Sequence, residues 1–364
     1  MEQSVWELPQ VRILGRHIRT GDVLTLFYTA SGVECLFTGS ELWLELNADY
    51  ETYEPWISVE LNGAWISRFP VAPGHSEVCV FRGMTPGTPK HVRVFKDVQA
   101  MSGDERHLLQ ITALRWADGD FLPLPAPSYR LEFVGDSITS GEGAIGALPE
   151  EDWISAFFSA MNHYARFTAD ALGAEYRLVS QSGWGILSSW DNDPHCRVLS
   201  YYKEVCGLAQ GARNRELGAQ QPNDFAAWPA DAVIINLGTN DAGASHNPPW
   251  TDPQTGETYG QNTTPAHRAQ LEQAVVDGLQ MLRRCNPQAL LVWVYGMLGD
   301  ELRPTLEQAI ARYRRETGDD RVCFFPLPDT TPETVGARQH PGVQSHRRAA
   351  DALTAFLQEA LNRS

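Results

Sequence analysis

From about residue 10 to residue 120 the apolar positions recur at every second residue. Leu42, Leu44 and Leu46 alternate with Trp43 and Glu45, and Ile57, Val59 and Leu61 alternate with Ser58 and Glu60. Successive side chains of a strand point to opposite faces, so this period predicts half-buried strands. Asn62-Gly63 supplies the two residues that a tight hairpin needs before Ala64-Trp65-Ile66. Residues 92–95 and 109–111 continue the pattern, and no helix-period segment of useful length interrupts it. Many short strands with turn signals between them predict an all-β sandwich of the jelly-roll kind. Pro123, Pro125 and Pro127 then favour an extended connector. The boundary therefore falls within 122–128, giving a first domain over 1–125 and a second over 126–364.

Beyond the connector the grammar changes. Residues 131–134, 176–180, 232–237, 290–295 and 322–327 are short apolar runs, the signature of strands buried on both faces. Helical patterns lie between and after them. Trp153, Phe157, Met161, Tyr164 and Ala171 share one face of a helix that Gly173 would end. Thr264 and Pro265 read as the cap and first residue of a helix carrying Leu271, Ala274, Val275, Leu279 and Leu282, which stops before Pro287. A last helix is expected after Ser345. Strands alternating with helices predict an α/β domain with a doubly wound parallel sheet, whose ligands bind at the carboxyl ends of the strands.

Composition narrows the partners. With 43% apolar and 20% charged residues the chain reads as an ordinary globular protein, and 364 residues suit two domains. Its 29 basic and 45 acidic side chains leave a net charge of -16, which repels phosphate backbones and anionic membranes but not a neutral sugar ester. No run of eighteen apolar residues is present, and the first residues lack a basic patch followed by an apolar stretch. None of the six cysteines has CxxC spacing, so free thiols in a reducing cytoplasm are expected. No HExxH or paired-ligand spacing calls for a metal, and no cofactor is expected.

Four short features fall where a parallel sheet would bring them to its functional edge. Gly135-Asp136-Ser137-Ile138-Thr139 follows the first apolar run, so Ser137 would be presented at a strand end. It is not the GxSxG elbow, because residue 139 is Thr. Ser182-Gly183-Trp184-Gly185 follows the second run and Gly238-Thr239-Asn240-Asp241 the third. A glycine lets backbone N–H groups approach a ligand, and an Asn amide can donate to a developing oxyanion. His340-Pro341-Gly342 precedes the last helix, and Pro341 keeps the histidine on a loop. Taken singly, each has a plainer reading as a turn or cap.

In this order the four blocks resemble those of the SGNH (GDSL) hydrolases, over residues 130 to 361. The resemblance implies a flavodoxin-like parallel sheet and a serine esterase. It implies that Ser137 is the nucleophile, His340 the general base, and that Ser137 N–H, Gly183 N–H and the Asn240 amide form the oxyanion hole. Gly185 competes with Gly183 for that role. A jelly roll ahead of such a domain is similar to carbohydrate esterase family two, whose members remove acetyl groups from xylan, mannan or similar sugars. The implied substrate is an acetylated xylo- or manno-oligosaccharide, with Trp184 and Trp250 as candidate stacking surfaces. The alternatives are a lipid or thioester hydrolase on the same fold, and a carbohydrate-binding protein that has lost catalysis.

One departure matters. The resembled motif usually carries an Asp two or three residues before the histidine, where this chain has Arg338 and Ala337. In the Ser-His-Asp template, loss of the acid's charge costs about four orders of magnitude in turnover. Either a backbone carbonyl holds His340 in a Ser–His dyad, the favoured expectation, or a more distant carboxylate such as Glu333 swings in.

Overall fold

The structure, a computed structural model, describes residues 1–362. Contacts divide the chain into two compact units. The first comprises Met1–Pro127 together with Asp152–Met161 and Glu204–Asn223; the second comprises Ser128–Glu151, Asn162–Lys203 and the chain from Asp224 onward. Pro127 thus ends the first stretch, and two later segments return to the unit it began.

The first unit is an antiparallel β-sandwich. One sheet orders His17–Thr20, Val23–Leu26, Leu108–Arg115, Leu42–Asp49 and Gly74–Phe81, and the other orders Phe121–Leu122, Gly32–Phe37, Lys90–Lys96, Trp56–Leu61 and Ala64–Pro70. The alternation has its expected effect: Leu42, Leu44, Leu46 and Ala48 are buried while Trp43, Glu45 and Asn47 are not. They join Phe37, Val59, Val92, Val94 and Ile111 in one apolar core. Asn62 and Gly63 both take positive φ (52° and 81°), as a two-residue hairpin turn between right-twisted strands requires.

The helix expected over 153–171 is a correction. Only Tyr164–Leu172 is α-helical, with Gly173 left-handed at its end. Residues 153–161 belong to the first unit and hold a single 3-10 turn, Ser155–Phe157. Their apolar side chains serve another partner: Trp153 stands edge-on to Tyr53 and Phe158, with ring centroids 4.8 and 5.6 Å apart. The Asp97 carboxylate accepts the Ala160 N–H at 2.7 Å. Tertiary packing outweighs a helical period of modest length.

In the second unit β1 (Arg130–Gly135), β2 (Glu175–Ser180), β3 (Ala232–Asn236), β4 (Leu290–Gly296) and β5 (Val322–Leu327) form a five-stranded parallel sheet. Its order, β2-β1-β3-β4-β5, is the flavodoxin-like arrangement. Every residue of β3 and β4 is buried, as strands covered on both faces must be. The helices used below are α1 (Ser137–Ser140), α2 (Tyr164–Leu172), α3 (Thr239–Ala244), α4 (Pro265–Cys285), α5 (Arg303–Thr317) and α6 (Val343–Asn362). Thr264 caps α4 by accepting the His267 N–H, as its position before Pro265 suggested. The last helix starts at Val343 and so takes in Ser345, after which it was expected to begin, and α5 has no counterpart among the expected helices. Among the described residues no helix is long and apolar enough to cross a membrane. All six cysteines are free thiols.

Two neighbouring strands share a buried ion pair. Arg177 on β2 donates to Glu132 on β1 at 2.6 Å, and the Tyr202 hydroxyl donates to the other Glu132 oxygen. The Arg177 guanidinium also stacks 4.1 Å over Trp228. Removing one member strands the other charge away from water, at a cost of about 3–5 kcal/mol. Glu132→Ala is therefore expected to lower the denaturant midpoint of unfolding sharply; a midpoint matching the parent would show the pair to be dispensable.

Candidate active site

The sheet register brings the first three blocks together. β1 lies between β2 and β3, with Gly135 paired to Ser180 on one side and to Asn236 on the other. Ser137 lies two residues beyond that line, Gly183 three and Asn240 four. Asp136 caps α1 by accepting the Ile138 N–H at 3.0 Å, which leaves Ser137 as the first helical residue. Its N–H has no intrahelical acceptor.

The histidine arrives from the far end of the chain. His340 Nε2 lies 2.9 Å from Ser137 Oγ, and His340 Nδ1 lies 2.8 Å from the Arg338 carbonyl oxygen. A carbonyl can only accept, so Nδ1 carries the ring proton and Nε2 is left as the acceptor for the serine hydroxyl. The orienting group is thus a backbone oxygen. Glu333 is exposed, and Asp329 accepts the backbone N–H groups of Gly299 and Thr330 instead. Close docking of two loops fixes the histidine. A Cβ on Gly143 would come within 2.3 Å of the Ala337 oxygen and 2.6 Å of His340 Cβ, so this position admits only glycine. Ala337 N–H donates to the Gly143 carbonyl at 3.1 Å.

The rival glycines separate by their hydrogen bonds. Gly185 N–H is directed to the Cys196 carbonyl at 3.4 Å, whereas Gly183 N–H, at a left-handed turn with φ 78°, has no partner among the described residues. Asn240 Nδ2 donates one hydrogen to the Trp184 carbonyl at 3.0 Å; an amide has two, so the second remains for a ligand. Asp241 holds the same loop from behind. Its buried carboxylate accepts the N–H groups of Ile186 and Leu187 and the Gln261 amide.

The two candidate tryptophans part company. Trp184 is half-buried, tied to Asn240 through its carbonyl, with its ring against Tyr201. Trp250 lies on a two-residue strand paired with Thr258–Tyr259, and its ring stands edge-on to His195. Among the described residues no hydrogen bond or ring contact ties it to Ser137, Gly183, Asn240 or His340. A third tryptophan escaped the sequence reading. Trp190 is 54% exposed, its N–H donates to the Gly183 carbonyl at 2.9 Å, and its ring edge lies beside Gly183. Glu142, buried near His340, also escaped notice, although it directly follows the serine helix between two glycines.

Residues 133–359 match the profile of the GDSL-like lipase/acylhydrolase family. The chain belongs to that family. Among solved structures it resembles an acetyl xylan esterase, Est2A, from the rumen bacterium Butyrivibrio proteoclasticus. The two share 42% identity over 100% of this chain and 98% of that one, with a TM-score of 0.97. An acetylxylan esterase/glucomannan deacetylase of Cellvibrio japonicus is 24% identical over 97% of this chain and 90% of its own length. The cellulase/esterase CelE of Acetivibrio thermocellus is 24% identical over 92% of this chain, which spans 37% of that relative.

In this GDSL-like chain the acids behind the serine are held largely out of water. Burial pushes the Asp136 carboxyl up to about 7; the Ile138 N–H works against the shift, while Asp241 and Glu142 add to it. Asp136 Oδ2 has no partner among the described residues, which suits a protonated acid. Burial, reinforced by the charge of His340, pushes His346 down to about 3. His346 therefore stays neutral, accepting the Tyr164 N–H at Nδ1. A carboxyl that holds its proton more tightly folded than unfolded makes stability fall as pH rises, here between about 4 and about 7. Asp136→Asn keeps the acceptor oxygen and removes the titration. The parent is expected to lose stability from pH 4 to pH 7 relative to Asp136→Asn; parallel denaturation curves for the two across that range would refute a neutral Asp136.

Proposed function

We propose that this chain is a serine esterase that removes acetyl groups from xylo- or manno-oligosaccharides, with Ser137 as nucleophile and His340 as general base. The observation that carries the reading is the contact of Ser137 Oγ with His340 Nε2 at 2.9 Å, with Nδ1 already committed to the Arg338 carbonyl. The family match and the acetyl xylan esterase and glucomannan deacetylase names of its relatives support the reaction and the substrate class.

His340 takes the hydroxyl proton as Ser137 attacks the acetyl carbonyl. The negative charge gathers on the carbonyl oxygen, where Ser137 N–H, Gly183 N–H and the second hydrogen of the Asn240 amide receive it. Collapse of this intermediate returns the proton from His340 to the departing sugar oxygen and leaves acetyl on Ser137. Water, deprotonated in turn by His340, releases acetate. No step requires a titratable side chain on Nδ1, because the carbonyl fixes tautomer and orientation without one.

Trp190, exposed beside Gly183, offers a pyranose a flat apolar face, and Trp184 lines the same loop. Trp250, beside His195, is left with a more distant part in this reading. A net charge of -16 suits a neutral sugar over an anionic lipid headgroup. Six free thiols support action in a reducing compartment such as the cytoplasm, on oligosaccharides short enough to be imported.

Release of acetate from acetylated xylan and mannan oligosaccharides tests the assignment. Ser137→Ala and His340→Ala are expected to abolish it, and Asn240→Ala to lower kcat by roughly 10²–10³. kcat/KM for the parent should rise from pH 5 to pH 8, because the base acts in its neutral form. Full turnover by Ser137→Ala, or a rate flat across that range, would end the assignment. Trp190→Ala is expected to raise KM for the oligosaccharide roughly 2- to 12-fold, the loss of one ring contact of about 0.5–1.5 kcal/mol. p-Nitrophenyl acetate hydrolysis should be nearly unaffected. Equal effects on both substrates would remove Trp190 from the sugar site.

A further inference from the structure

We propose that Glu142 does the work of the missing triad acid from an unusual place, as a positioning residue that acts through Arg338. The inference rests on the assignment of Ser137 and His340 above. Glu142 is buried at 1% exposure, and both carboxylate oxygens and its backbone N–H are committed. Oε1 accepts from Arg338 Nε at 2.8 Å, Oε2 accepts from the Ser182 hydroxyl, and its backbone N–H donates to the Ser137 carbonyl at 3.0 Å. One residue thereby touches the nucleophile's backbone, the neighbour of Gly183 and the residue whose carbonyl holds the base.

Arg338 needs such an anchor. It sits at φ 54°, ψ 32°, and Gln339 follows at φ 56°. Two consecutive left-handed residues with side chains are disfavoured and persist only where the surroundings hold them. That turn carries the Arg338 carbonyl to His340 Nδ1. Arg338 is held at three points: its N–H on the Glu150 carbonyl at 2.7 Å, a guanidinium nitrogen on the Glu151 carbonyl, and Nε on Glu142. Only the last is a charged partner. The carboxylate fixes the arginine, the arginine's backbone fixes the imidazole, and the order of a triad is kept with one extra link.

The same carboxylate faces the proton that moves. Glu142 Oε1 lies 3.9 Å from His340 Nε2, so its charge favours the imidazolium formed when Ser137 attacks. The other ionisable groups around His340 are the Arg338 guanidinium, which opposes this, Asp136, whose carboxyl is pushed up to about 7 and so gains charge within the same pH range in every variant, and the neutral His346. Glu142 is the carboxylate that an ion-pair distance joins to the base among the described residues.

The test is p-nitrophenyl acetate hydrolysis from pH 5 to pH 9 by parent, Glu142→Gln, Glu142→Asp and Arg338→Met, with Ser137→Ala as the inert control. Glu142→Gln keeps the shape and one acceptor oxygen for Arg338 but removes the charge, and its NH2 can only donate, so the Ser182 hydroxyl must turn to accept from it. It is expected to lower kcat about 10- to 100-fold, as a small misplacement of a catalytic group does. KM should stay within a factor of about two, and the acid limb of kcat/KM should move roughly half a pH unit or more towards acid. Glu142→Asp should recover part of the loss. Arg338→Met removes the opposing cation and should move the limb towards base while also lowering kcat. The double variant should be little worse than the poorer single one, as partners in one chain of contacts behave.

Parent-like kcat and limb in Glu142→Gln overturn the proposal. So does a loss of kcat that follows a fall in Tm with the limb unmoved, the mark of a purely structural residue. If Glu142→Gln does not fold, Arg338→Met decides: a parent-like profile overturns the inference, and a base-shifted one with lowered kcat supports it. A dead Ser137→Ala beside a parent-like Glu142→Gln removes only the role of Glu142. A fully active Ser137→Ala removes the underlying assignment and this one with it.

Discussion

Parallel pairing of β1 with both β2 and β3 is the constraint on which the site depends. Ladder hydrogen bonds set Gly135 level with Ser180 and Asn236, so the three loops leave the sheet at one height. A slip of one residue on either side would turn every side chain of the displaced strand to the other face. Strands buried on both faces do not tolerate that where one of them carries Glu132 against Arg177. The ion pair between neighbouring strands and the loops at their carboxyl ends are thus held by the same register. The loops that carry Ser137, Gly183 and Asn240 therefore leave the sheet side by side without needing contact with one another.

Charge around the serine is managed by burial more than by pairing. Asp136 and Asp241 lie behind the reacting edge, and both are driven towards their neutral forms by loss of water. Asp241 spends its lone pairs on Ile186, Leu187 and Gln261, and so keeps the Gly183–Trp184 turn in place. The neutralised arginine pair in front leaves one carboxylate oxygen near the histidine, in a site where low polarity makes that distance count.

Much of this was legible in the chain, for reasons that differ by element. The sandwich strands announce themselves because one face of each is wet: Leu42, Leu44 and Leu46 could not alternate with polar residues otherwise. Ser137 and His340, which the structure brings into contact, were legible because one is a serine just past a strand end and the other a histidine that Pro341 keeps on a loop. The helix expected through Trp153 and Phe157 failed because helical spacing says nothing about partners; Tyr53, a hundred residues earlier, claims Trp153. That a backbone carbonyl holds His340 was the favoured expectation, but which one could not be read, since a carbonyl oxygen belongs to every residue and only the left-handed turn at Arg338 selects this one. Glu142 was equally hidden, its partner lying 196 positions away. Trp190 is a plainer omission: a tryptophan between Ser189 and Asp191 is odd for a core position, and that polarity was its signal.

The division of the chain also bears on how such a protein can be taken apart or inherited. The backbone passes from one compact unit to the other five times, because 152–161 and 204–223 are woven into the sandwich. Ala160 completes the bonding of Asp97, and Arg213 pairs with Asp49. Cutting at the proline connector would leave a sandwich without 152–161 and 204–223 and a hydrolase carrying those two internal segments without their packing partners. The sandwich is therefore no detachable accessory that recombination could swap in one piece; it and the α/β unit are bound to change together, and any shuffling must carry the whole length between its first strand and its last helix.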